Sequence, residues 1–324
     1  MAPPTSMWSL SSTTFSPHFA KLKTSTYADT ARPTPLHNVR TLAWNVTGKK
    51  IATGAADRTL RVWDPERPKT QDSTELRGHQ GPIERVAFSP ASDTELATCS
   101  ADGLLRIWDL RKNTPAVVSD LKLRGEPFTL AWKPNGDDLL VGMKNDTFAV
   151  VSRSTTKVVA THKQDVQSNQ TVFGWAGKHI FVTTGDGRVK IMRYPSFELI
   201  HELNAHTSSC YTLCMSPTGK YLAVGGGDAL ISLWDTEEWI CVRTFDDMTG
   251  PVRSVDFSFD GSFVVGGSDE GNRLSIAHTE TGEYVHHIDT THPAPCVQWH
   301  PNRYALAYSA DTQGLKIVGG ITPS

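Results

Sequence analysis

Residues 102–111 read DGLLRIWDLR: an Asp-Gly turn, a short run of apolar and basic residues, and a closing Trp-Asp pair. The same wording returns as DRTLRVWDPE at 57–66 and DALISLWDTE at 228–237. In each copy an Asp stands six residues before the Trp: Asp57 before Trp63, Asp102 before Trp108, Asp228 before Trp234. Trp63 and Trp108 are 45 residues apart, and the 126 residues from Trp108 to Trp234 are three times 42. Degenerate copies fall in the gaps, as VGMKNDTFAVVSR (141–153), VTTGDGRVKIMRY (182–194), GGSDEGNRLSIAH (266–278) and YSADTQGLKIVGG (308–320). Working outward from these closings, each period opens with a strand that ends in a large side chain before a turn. The openings begin TLAWNVTG at Thr41, RVAFSPAS at Arg85, TLAWKPNG at Thr129, TVFGWAGK at Thr171, TLCMSPTG at Thr212, SVDFSFDG at Ser254 and CVQWHPNR at Cys296.

A period of about 40–45 residues with no helical periodicity, punctuated by Gly, Pro, Asn and Asp turns, is that of one four-stranded propeller blade. Seven openings and seven closings predict an all-β fold, a seven-bladed WD-repeat β-propeller in a single closed ring. The boundaries expected are a disordered N-terminal tail over 1–14, the propeller over 15–320 and a C-terminal tail over 321–324. The seventh period supplies only three strands. The unassigned SPHFAKLKTSTY (16–27) is expected to add the fourth and latch the ring, because a closed ring leaves few sheet edges exposed.

The Trp-Asp closings resemble those of the WD-repeat family. That resemblance implies a buried hydrogen-bond relay of His79, Thr98, Asp102 and Trp108 in the second blade, structural and not catalytic. The fifth blade keeps His206, Asp228 and Trp234 but has Val224 where the hydroxyl belongs. The first has Thr53, Asp57 and Trp63 but Pro35 at the His position. These two blades are therefore expected to lean on apolar packing.

With 32 basic and 34 acidic residues the chain carries a formal charge of −2, which offers no electrostatic footprint for wrapping nucleic acid. Cys99, Cys210, Cys214, Cys241 and Cys296 are odd in number and scattered, and are read as small buried hydrophobes of a reducing compartment. Cys210 and Cys214, four apart on a strand, are expected on one face. No run approaches the roughly 20 apolar residues of a membrane span, and the first residues lack the form of a secretory signal. No phosphate loop, nucleophile elbow or zinc-protease motif occurs. His286, His287, His292 and His300 cluster in sequence without a metal-ligand spacing. The expectation is a protein that is not an enzyme, with no catalytic, cofactor or metal site, no small-molecule substrate and no membrane.

What remains is surface. Counting back four and six residues from the opening-strand aromatics marks positions expected to face one rim of the central channel. They are Asn38 and Arg40, Pro82 and Glu84, Glu126 and Phe128, Asn169 and Thr171, Ser209 and Tyr211, and Pro251 and Arg253. Phe128 and Tyr211 suit partner anchors. Arg40 and Arg253 suit acidic groups or phosphates, while Glu84 and Glu126 oppose phosphate.

The words of blades five to seven are narrower. YPSFELIHELNAHTSSCYTLCMSPTGKYLAVGGGDALISLWDTEEWICVRTF (194–245), then PVRSVDFSFDG, SIAHTETGEYV and VQWHPNRYALAY (297–308), closely resemble the third-subunit family of the THO complex. The resemblance implies a nuclear, non-catalytic interaction scaffold within the THO/TREX machinery, which couples transcription to messenger-RNA packaging and export. It implies large helical scaffold subunits as partners, with RNA engaged only indirectly or weakly. A WD-repeat adaptor of a ubiquitin ligase or chromatin complex, or a direct RNA binder through the rim, are the alternatives.

Overall fold

The computed structural model describes residues 9–28, 38–66, 73–111, 116–310 and 314–319. Seven four-stranded antiparallel sheets follow one another around a ring, a seven-bladed β-propeller. Blade 2 is representative: Ile83–Phe88 innermost, then Glu95–Ser100, Leu104–Asp109 and Ala116–Lys122 outermost. Second strands such as Tyr221–Gly226 and Phe263–Ser268 are buried at every residue. They read as continuous apolar or small-residue runs because a neighbouring blade covers each face. Outermost strands are the opposite extreme, and Lys157–Lys163 of blade 3 is exposed almost throughout.

The core lies between blades, not within them. Ala52, Leu60 and Val62 of blade 1 pack against Ile83, Val86 and Phe88 of blade 2, and comparable clusters fill the other seams. Close approach sets residue size there: a Cβ on Gly225 of blade 5 would stand 2.5 Å from Val252 of blade 6. Side chains of the innermost strands also stitch blade to blade. Thr41 Oγ1 accepts from Val86 N–H at 3.3 Å, Gln170 Oε1 from Leu213 N–H at 3.2 Å, and Gln298 Oε1 from Trp44 N–H at 3.0 Å. Asp256 of blade 6 joins two neighbours: Oδ2 accepts from Trp299 N–H at 2.7 Å and Oδ1 from the Cys214 thiol at 3.2 Å. Burial pushes the Asp256 carboxyl up to about 7, with the Trp299 N–H and the Cys214 thiol opposing that rise.

The segment 16–27 divides into two roles. Thr24–Tyr27 pairs antiparallel with Gly314–Val318, Thr24 opposite Val318 and Tyr27 opposite Leu315, and becomes the outermost strand of blade 7. Tyr27 then joins Ala307, Leu315 and Ile317 in a cluster with Trp44, Ile51 and Trp63 of blade 1, which closes the seam between last and first blades.

Ahead of that strand the chain is a helix, α1 (Ser12–Phe19), so the tail expected over 1–14 is corrected: residues 12–14 are helical and residues 9–11 are tied down. Residues 1–8 and 321–324, the remaining parts of the two expected tails, lie outside the described residues. Ser11 caps α1 through a capping box with Thr14. Ser9 Oγ donates to Asp260 Oδ2 at 2.7 Å and Leu10 N–H to the Tyr304 hydroxyl at 2.9 Å. The cause of the order is Phe15 and Phe19, one turn apart on a single face. Both are buried in the wedge between blades 6 and 7, with Phe15 stacked 3.9 Å from Phe263.

Two outcomes follow from this packing. Phe15→Ala should cost about 3–5 kcal/mol in a urea titration, although the residue lies at the border of a segment that reads as a tail. Because the folded carboxyl of Asp256 titrates near 7 and an ordinary one near 3.8, the folded state holds the extra proton in that window. Its contribution is full below the unfolded pKa and is lost as pH rises through the folded pKa. Asp256→Asn should flatten the decline in melting temperature between about pH 4 and 7; an unchanged slope would assign that decline elsewhere.

Candidate functional site

In blade 2 the structure brings all four predicted relay residues together. Trp108 Nε1–H donates to Thr98 Oγ1 at 2.9 Å, and Thr98 Oγ1 lies 2.8 Å from His79 Nε2. Having accepted from the indole, the hydroxyl donates its own proton to Nε2, which leaves Nδ1–H for Asp102 Oδ2 at 2.9 Å. Burial draws the His79 pKa down, against the pull of Asp102. Burial would raise that of Asp102, but the Gln80 N–H, His79 and the Leu104 N–H outweigh it and hold it below the ordinary value. Neutral imidazole and ionised carboxylate are the states the network needs. With the His79 side chain 1% exposed and every polar atom engaged, the set holds strands together and presents nothing to a substrate.

Blade 5 departs from the expectation of an incomplete relay. Trp234 Nε1–H donates to Ser232 Oγ at 2.8 Å, and Ser232 Oγ lies 3.0 Å from His206 Nε2, with His206 Nδ1 2.9 Å from Asp228 Oδ1. Ser232 is the direct cross-strand partner of Val224. The hydroxyl lost from the second strand is restored from the third, eight residues later in sequence and one hydrogen-bonded rung away. His206 Nε2 also stands 3.1 Å from the Val224 carbonyl. In blade 1 Trp63 Nε1–H donates to Thr53 Oγ1 at 3.0 Å, and Asp57 instead accepts from the Thr59 hydroxyl at 2.6 Å and approaches Arg61. Pro35 lies outside the described residues.

The rim residues share one backbone feature. In each of the first six blades the innermost strand carries one extra residue: Arg40, Glu84, Phe128, Asn169, Tyr211 and Arg253. Such a bulge turns its side chain away from the ladder. Contacts then run from blade to blade. Arg40 Nη1 donates to Glu84 Oε1 at 2.7 Å, Asn169 Nδ2 to the Cys210 carbonyl at 2.8 Å, and the Arg253 guanidinium lies 4.3 Å from the Tyr211 ring centre. Arg253 Nε also donates to Asp269 at 2.7 Å, and Lys144 bonds Glu126 at 2.8 Å. The ring is thus charge-compensated, with Phe128 and Tyr211 half-buried and part of each ring still accessible.

One rim position needs correction. Thr171 is buried, because the opening strand of blade 4 ends at Phe173 and not at Trp175. Phe173 pairs with Ile180 as Trp132 pairs with Leu139. The bulge also overturns the pairing of Cys210 and Cys214 on one face. With Tyr211 as the extra residue the alternation slips, so Cys210 packs toward blade 4 and Cys214 toward blade 6. Cys241, expected inside, is exposed on an outermost strand. The four clustered histidines part company: His286 meets Ser16 of α1, His287 meets Ser275, His292 meets Thr291, and His300 bonds the Gly48 carbonyl between blades 7 and 1.

A family model described as the THOC3 beta-propeller domain matches residues 36–309. The chain belongs to the THOC3 β-propeller family. THO complex subunit 3 of Arabidopsis thaliana is 32% identical over 280 residues, which cover 86% of this chain and 88% of that relative. WD repeat-containing protein AAC3 of Dictyostelium discoideum is 31% identical over 296 residues, 83% of this chain and 61% of the relative. Among solved structures, the β-propeller domain of Cps50 (Swd1) from Myceliophteria thermophila superposes with a TM-score of 0.79 over 93% of this chain and all of that one, at 19% identity. That last likeness concerns the fold alone. Within this family member, Ser232 and the backbone bulges that carry the rim residues are the features that sequence reading left out. Both depend on strand register.

The blade 5 relay can be tested by moving its hydroxyl. Ser232→Ala should cost about 2 kcal/mol by orphaning the Trp234 N–H, and Val224→Thr in that background should restore much of it by recreating the blade 2 arrangement. Equal loss in single and double variants would show that Ser232 acts by packing alone.

Proposed function

We propose that this chain is the non-catalytic WD-repeat scaffold subunit of a THO-type nuclear assembly, and that through this assembly it serves the coupling of transcription to mRNP packaging and export. Family membership across residues 36–309 carries the reading. The rim supplies its physical basis: six blades each aim one bulge side chain at a shared face, and two of these are aromatic. Tyr211 beneath Arg253 is the best-built anchor, since the guanidinium fixes the ring without covering it completely. The partners are other THO/TREX subunits, large helical proteins that span several blades.

RNA contact through this rim is disfavoured by the same geometry. Arg40 and Arg253 already face Glu84 and Asp269, and Lys144 faces Glu126. A phosphate backbone would have to displace these carboxylates. RNA therefore reaches the protein by way of the assembly.

The deciding experiment is affinity purification of the tagged full chain from nuclear extract at moderate salt. Wild type should retain THO subunits in fixed stoichiometry, and Tyr211→Ala with Arg253→Ala should reduce that retention about tenfold or more. Recovery of ligase or histone-modifying components in place of THO subunits would overturn the reading. Retention of THO subunits by the double variant would move the contact off this rim.

A further inference from the structure

A second series of bulges lies on the outside of the ring. In blades 2 to 6 the outermost strand carries one extra residue near its start: Val118, Val159, Ile200, Val242 and Val285. All five are β-branched aliphatics. Bulges blunt edge strands and so prevent open-ended pairing, but that role asks only for the backbone distortion and is served as well by Thr or Lys. Four of the five side chains are nevertheless open to solvent, with Val159 the most exposed at 59%. Apolar neighbours widen three of the sites: Val117 beside Val118, Val158 beside Val159, and Leu199 beside Ile200.

The fifth site shows what such a position accepts. Val285 is packed against the cluster that contains Phe15 and Phe19 of α1. There the helix lies on the outermost strand of blade 6, Tyr284–Asp289. Phe19 meets His286 edge-on at 5.3 Å between ring centres, and Ser16 Oγ lies 3.2 Å from His286 Nδ1. The register makes the comparison direct: Val285 faces the step from Ile276 to Ala277, as Val159 faces the step from Val150 to Val151 and Ile200 that from Ile191 to Met192. One outer bulge of the series thus packs against the cluster that this chain's own amphipathic helix helps to build, beside the strand on which the helix lies, whereas its four equivalents are exposed.

We propose that the outer bulges of blades 3 and 4, with Val158, Val159, Leu199 and Ile200, are docking points for an amphipathic helix of a partner subunit carrying two bulky apolar side chains one turn apart, as α1 carries Phe15 and Phe19. Blade 3 is the centre of the site because its outermost strand is exposed at every residue but His162. Lys157, exposed beside Val158 and without a carboxylate partner among the described residues, selects a helix with an acidic residue on its flank. This surface is distinct from the channel rim, so one propeller can hold two segments at once. The inference rests on the scaffold reading above.

The test uses the full chain as purified with its THO subunits, set beside the free chain. Amide hydrogen exchange over 157–163 and 199–204 should slow in the complex, and Val159→Glu with Ile200→Glu should reduce co-purification about tenfold. Both substituted positions are exposed, so the melting temperature should stay near that of wild type. Thr161→Glu, on the same strand but away from the bulge, should leave co-purification intact. Loss of subunits by the double variant with an unchanged melting temperature and protection of the two strands would support the proposal. Full retention without protection would overturn it and leave the scaffold reading standing. Protection that appears in the free chain as it self-associates would also overturn it, because the occupant would then be a second copy. Failure of wild type itself to retain THO subunits would remove both readings together.

Discussion

No blade of this ring has a core of its own. Each sheet is apolar on both faces, and the residues that matter most, such as Leu60, Ile83 and Phe88, become buried only when a neighbour arrives. Closure is therefore the constraint on which everything else depends, and it is met by two separate devices, both in the N-terminal segment ahead of the first blade. Thr24–Tyr27 completes the last sheet by hydrogen bonding, while Phe15 and Phe19 fill the wedge one seam earlier by packing. The first removes an edge and the second removes a cavity. Neither substitutes for the other, since a paired edge leaves the wedge empty and a filled wedge leaves backbone groups unpaired.

Within that frame the Trp-Asp relays are interior carpentry. A carboxylate, an imidazole, a hydroxyl and an indole N–H in one buried line look like a proton-transfer chain, yet every donor has an acceptor inside the blade. Blade 5 shows what is under constraint. It is the position of a hydroxyl in space, not its position in the sequence, since Ser232 delivers it from across the rung that Val224 vacated.

How much of this was legible follows from the same distinction. Period, blade count and the relay of blade 2 could be read because they recur in phase along the chain. Ser232 could not, because a cross-strand neighbour becomes visible only once register is known. The split of Cys210 from Cys214 was hidden for a related reason: one extra residue at Tyr211 reverses the alternation, and no residue type announces a bulge. Thr171 was misplaced because Trp175 is the more conspicuous aromatic, while Phe173 ends the strand. In α1 the signals were present, Ser11 with Thr14 and Phe15 with Phe19, but Pro17 and a length of eight residues disguised them. The THO resemblance, by contrast, lay in whole phrases of blades five to seven, and family membership over residues 36–309 agrees with it.

The bulges carry the argument from fold to function. A propeller made only of regular ladders would turn its side chains toward adjacent blades and leave little to distinguish one surface from another. One extra residue per strand breaks that economy at chosen places. On the inner strands it aims Arg40, Glu84, Phe128, Asn169, Tyr211 and Arg253 at one face, where the chemistry is mixed and charge-compensated. On the outer strands the same distortion carries only Val and Ile. Mixed polar and aromatic groups discriminate between partners, whereas aliphatic groups at an edge gain mainly from being covered. The difference in residue type between the two series is what the two proposed contacts call for, a selective one at the channel mouth and an adhesive one around the circumference.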